Sequence, residues 1–63
     1  MYNKFLLERS NTTFRYNITD DNYEVVKSRN GDLVKGGIYT KHFVNAYASV
    51  NPNVYIFDER EED

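Results

Sequence analysis

Tyr23-Glu24-Val25-Val26-Lys27-Ser28-Arg29-Asn30-Gly31-Asp32-Leu33-Val34-Lys35 is the stretch on which the fold turns. Two runs rich in β-branched residues flank Asn30-Gly31, the pair best suited to the positive φ angles of a type I′ turn. The pattern predicts a tight β-hairpin with strands over residues 23–29 and 32–35. Arg29 and Asp32 then face each other across the turn with opposite charges. The turn also sets a register: Lys27 opposite Val34, Val26 opposite Lys35 and Val25 opposite Gly36. Tyr23, Val25, Val34 and Ile38 fall on one face, the predicted core side.

Working upstream, residues 13–18 alternate cleanly, with Phe14, Tyr16 and Ile18 on one face and Thr13, Arg15 and Asn17 on the other. A period of two marks a half-buried strand. Asp20-Asp21-Asn22 supplies the turn into the hairpin, because these side chains bond their own backbone and tolerate left-handed geometry. Residues 4–9 read as a first strand that ends in the turn-prone Ser10-Asn11-Thr12.

Downstream, Gly36-Gly37 interrupts the pattern and predicts a bulge or the end of the hairpin. At Thr40 the period changes. Thr40 is a suitable N-cap, and Phe43, Tyr47 and Val50 recur at i, i+4 and i+7, widened by Val44 and Ala46. Asn51-Pro52-Asn53 stops this helix, since proline biases its predecessor away from helical geometry. A helix of about ten residues is marginal alone and must dock its aromatic stripe on the sheet. The last strand, residues 53–57, carries Val54 and Ile56 on one side and Tyr55 and Phe57 on the other. Both faces are apolar, which suits a sheet interior or a surface covered by a partner.

The expected fold class is α+β. It is a small antiparallel β-meander of four to five strands with one helix packed on one face, in the order β-β-β-β-α-β. Residues 1–57 form its single domain and residues 58–63 an acidic C-terminal tail.

A chain of 63 residues has room for one core. It has no cysteine and a single histidine, so stability rests on apolar packing, helped by the 16% aromatic content. The N-terminal apolar run is too short for a signal peptide or a membrane helix. With no cysteine, this points to a cytoplasmic protein, and the sequons at Asn11 and Asn17 read as incidental. Abundant Asn, Lys, Tyr, Phe and Ile, with scarce Ala, Gly and Pro, point to AT-rich codons and hence a low-GC bacterium or its phage. Charge is uneven. The last six residues hold five acids and one base, a net of −4, and the rest holds five acids and seven bases, a net of +2.

Chemistry-bearing constellations are thin. The absence of cysteine excludes thiolate zinc sites and cysteine nucleophiles, and no serine sits in a nucleophile-elbow context with His42. Asp20, Asp21 and Glu24 lack the spacing of a calcium loop and read as a solvated turn. No catalytic residue, metal site or cofactor is expected, and the protein reads as non-enzymatic.

Protein binding is the leading expectation. One helix covers one sheet face, which leaves Leu6, Val26, Leu33, Tyr55 and Phe57 as candidates for a partner surface or a homodimer. A phage accessory protein that binds and inhibits a host enzyme or defence factor is the kind of protein such a chain would be. The alternative is a sheet-based single-stranded nucleic-acid-binding protein modulated by its acidic tail, with Arg15, Lys27, Arg29 and Lys35 on phosphates and aromatic rings on bases. In layout, the antiparallel strands and helix over residues 13–49 resemble the arm-binding domains of phage integrases, and no motif carries a residue role across. No membrane partner is expected.

Overall fold

The structure, a computed structural model, describes residues 3–62, so Met1, Tyr2 and Asp63 of the anticipated domain and tail lie outside the described residues. Its centre is β1 (Thr12–Asn17), whose alternation sets Phe14 fully out of water. β2 (Asn22–Ser28) runs antiparallel to it, with Phe14 opposite Val25 and Tyr16 opposite Tyr23. The connecting turn uses Asp21 at φ 52, a left-handed geometry that Asp tolerates. The Tyr16 hydroxyl holds it by donating to the Asp21 carboxylate at 2.7 Å. Beyond Val25 the register shifts, and Val26 stands as an extra residue before Lys27 pairs with Thr13.

The Asn-Gly hairpin does not form. A type I′ turn needs positive φ at both central residues, and only Gly31 has it, at 73°. The Gly31 N–H instead closes a turn onto the Ser28 carbonyl, and residues 32–35 form no strand. The reason is tertiary. Asp32 accepts hydrogen bonds from Ser28 Oγ and from the Tyr47 hydroxyl, and Leu33 packs against the core. The chain rejoins β2 at Gly36-Gly37 and continues into β3 (Ile38–Tyr39), where Tyr39 pairs with Tyr23 and Ile38 with Glu24. Gly36, at φ 87, makes that return possible, and Val25 exchanges hydrogen bonds with Gly36 and Gly37 together. Two residues face one, as the glycine pair suggests. Val34 and Ile38 are consequently exposed rather than on the core side.

α2 (Lys41–Val50) starts where expected. Thr40 Oγ1 accepts the Phe43 N–H, and Asn51 ends the helix. Its buried residues are Val44 and Tyr47, while Val50 is exposed, so the docked stripe is rotated from the expected one. Phe14, Val25, Val44 and Tyr47 form the core, with the Tyr47 ring edge-on to Phe14 at 5.9 Å. α2 carries the chain back past the sheet, so β4 (Val54–Asp58) runs in the direction of β1 and pairs with it in parallel. The sheet is therefore mixed, with order β3-β2-β1-β4, and the expected all-antiparallel meander is corrected.

Residues 4–9, expected as a strand, are a helix, α1 (Lys4–Arg9). Six residues cannot hold a helix alone. Asn3 caps the start by accepting the Leu6 N–H. At the other end Lys27 Nζ donates to the Leu7 and Glu8 carbonyls, both at 2.8 Å, and Arg29 donates to Glu8. Cations at these orphan carbonyls also suit the negative end of the helix dipole.

Candidate functional site

Pairing register assigns the faces. Thr12, Phe14 and Tyr16 share the α2 side with Val54 and Ile56, because strand partners lie on one face. Thr13, Arg15, Lys27, Tyr55 and Phe57 share the other side. α1 sits on that second side. The Asn3 N–H donates to the Tyr55 hydroxyl at 2.9 Å, and Ser10 Oγ, which donates to the Leu7 carbonyl, accepts from Thr13.

Between α1 and the start of β4 lies an open cleft of about 410 Å³, lined by Leu6, Arg9, Ser10, Asn53, Val54 and Tyr55. Two of the sequence candidates, Leu6 and Tyr55, meet here. Leu6 is 47% exposed and the neighbouring Phe5 61%, with the Arg9 guanidinium over the Phe5 ring at 5.1 Å. Of the other candidates, Val26 is the half-buried bulge residue of β2 and Leu33 packs against the core. Phe57 is buried, stacked on Tyr55 at 5.9 Å and lying below the Arg15 guanidinium. None of these three lines the cleft.

Of the four candidate phosphate-binding cations, Arg15, Lys27 and Arg29 are engaged within the chain, and Lys27 and Arg29 meet at the Glu8 carbonyl. Arg15 bonds Glu24 at 3.0 Å and Glu62 at 2.9 Å, and these contacts, Glu62 foremost, hold its guanidinium above its ordinary pKa. Lys27 and Arg29 serve the α1 carbonyls. Lys35 lies exposed in the loop before β3.

Residues 58–62, set apart in the sequence as part of an acidic tail, lie along the sheet. Asp58 ends β4 and caps a short 3-10 turn over Glu59–Glu61 in a reciprocal capping box. Glu59 accepts the Ile18 N–H, and Glu62 reaches Arg15. Arg60 donates to Asp58 and holds its carboxyl below the usual carboxylate range.

On the α2 side a polar chain crosses the core boundary. The Tyr47 hydroxyl gives its one hydrogen to Asp32 at 2.7 Å, so Thr12 Oγ1, 3.0 Å away, donates to Tyr47. Burial raises the Tyr47 pKa, while the bond from Tyr47 lowers that of Asp32. Among the described residues no group of three or more His, Cys, Asp or Glu side chains could hold a metal ion. Nor is any described helix long and apolar enough to cross a membrane.

Arg9, Phe5 and Asn53 were not among the site residues expected from the sequence. The signal for the first two was present. Asn3 can cap a helix, and Phe5 and Arg9 stand at i and i+4. Comparison of the chain with protein-family models, curated proteins and solved structures finds no match.

Proposed function

We propose that this chain is a non-enzymatic protein-binding module whose partner surface is built on α1 and the adjoining cleft. One observation carries the reading. α1 buries none of its residues, yet Lys27, Arg29 and Tyr55 hold it in place through polar bonds. Phe5 and Leu6 thereby stay in water beside a concave surface. Apolar side chains fixed outward next to a cleft suit a protein partner, with Leu6 and Phe5 as anchors and Arg9 for an acidic group at the rim. The narrower reading, a phage protein that inhibits a host enzyme or defence factor, draws on composition. Nucleic-acid binding has less support, because Arg15, Lys27 and Arg29 are engaged by groups of the chain itself.

The test compares the wild type with Leu6→Asp as bait in a low-GC bacterial lysate. A protein retained in stoichiometric amount by the wild type and lost with the variant is the expected result, with both baits equally stable to heat. Equal capture by both baits would remove α1 from the surface. Tight, salt-sensitive binding of a single-stranded oligonucleotide would favour the other reading instead.

A further inference from the structure

The two edges of the sheet are unequally protected. β3 closes one side with two residues, too few to template another strand. β4 closes the other with five, Val-Tyr-Ile-Phe-Asp, and Val54–Phe57 carries no charge, proline or bulge. Backbone groups alternate along a strand. The Asn53 carbonyl accepts from Asn11 and Thr12, so Tyr55 and Phe57 also turn their N–H and C=O toward β1. The N–H and C=O of Val54 and Ile56 then face outward, where no described strand pairs with them. The row stops at Asp58, whose N–H is taken by the Glu61 carboxylate at 2.9 Å.

Ile56 is the middle residue of β4 and is 41% exposed. About it the strand is nearly symmetric in kind, with an aromatic ring on each side. We infer that a second copy of this chain pairs here, β4 against β4, antiparallel about a two-fold axis through Ile56. Ile56 then exchanges both backbone hydrogen bonds with Ile56 of the second copy, and Tyr55 lies opposite Phe57 on the other face. Charge fits the same alignment. Arg9 lines the cleft at the Asn53–Val54 end and makes no ion pair among the described residues. Antiparallel pairing brings Asp58-Glu59-Arg60-Glu61 of the second copy, three acids and one base, alongside that end. The two acidic segments sit at opposite ends of the joined strands and do not meet.

Sedimentation of the full chain across the micromolar range tests this. The wild type should be a dimer at the upper end, and Ile56→Lys a soluble monomer with an unchanged far-UV spectrum. Because the chain has no cysteine, Ile56→Cys can cross-link only between copies. A hydrogen-bonded antiparallel pair sets its Cα atoms about 5.5 Å apart, inside disulfide reach. Mild oxidation should therefore give a covalent dimer from Ile56→Cys and little from Asn30→Cys. Arg9→Glu should weaken the dimer severalfold. A wild type that stays monomeric, an Ile56→Lys variant that stays dimeric, or equal cross-linking at Asn30 would each overturn the inference. The α1 reading is judged separately through Leu6→Asp, on the other face.

Discussion

Where α2 lies on the sheet, Phe14, Val25, Val44 and Tyr47 close a core with little or no contact with water. Where α1 lies on the opposite face, none of its residues is buried, and it is held by bonds from Lys27 and Arg29 and by its cap residue Asn3, whose N–H donates to Tyr55. The first contact draws on area removed from water, at about 1.5–3 kcal/mol for each large side chain, without regard to direction. The second draws on directed, charge-assisted hydrogen bonds, which act only while their geometry is kept. One face should therefore set global stability. The other should set whether a small, exposed helix stays in place.

The largest expected effect breaks the first face. Phe14→Ala should cost about 3–5 kcal/mol, against a total of roughly 3–9 kcal/mol for a chain of this length. Urea titration should find the variant's midpoint lowered by roughly a third or more. A midpoint near that of the wild type would mean that the α2 face is not the core.

Lys27→Met sharpens the contrast. It keeps the stem of the side chain and removes the ammonium from the Leu7 and Glu8 carbonyls. The loss should be about 1.5–3 kcal/mol, felt locally. In hydrogen exchange, the Leu7 and Ser10 amides should lose protection while those of β1 keep it. Uniform loss over the whole chain would mean that the two faces are not separable.

The smallest effect is a pH dependence. The Tyr47 hydroxyl holds the Asp32 carboxyl below its ordinary range. Its folded form therefore binds a proton less readily than the unfolded chain does. The contribution is complete above the unfolded value of about 3.9 and fades as pH falls through the lower folded value. Asp32→Asn keeps an oxygen for Tyr47 and should flatten part of the acid limb of the melting temperature. Asp58, lowered by Arg60, should supply some of the slope that remains. An unaltered limb would mean that the Asp32–Tyr47 bond does not form in solution.

The same contrast explains what could be read in advance. β1 and α2 carry their own signals, alternation at Phe14 and Tyr16 and a cap at Thr40, and both stand where expected. Leu6 and Tyr55 belonged to the anticipated surface and do meet at one cleft. α1 was legible only at its start, where Asn3 offers a cap, because its C-terminal carbonyls are satisfied by Lys27 and Arg29, about twenty positions on. The Asn-Gly signal was strong, but local preference gave way to Asp32 bonding Tyr47 and to Leu33 packing on the core. No local feature of Val-Tyr-Ile-Phe reveals whether it lies beside β1 or β3. That choice is made by where α2 delivers the chain.

The β1–β4 pairing also sets an order of assembly. Thr12 and Asn17 reach their β2 partners through a short turn, whereas Thr12 meets Val54 only after the chain has passed through β2, β3 and α2. Closing so long a loop costs entropy before any contact rewards it, so high contact order places this step late. A chain growing from its N-terminus can zip β1 to β2 at once. The other edge of β1 stays unpaired until β4 has been made, and in that interval the nascent sheet is most open to pairing with a neighbour.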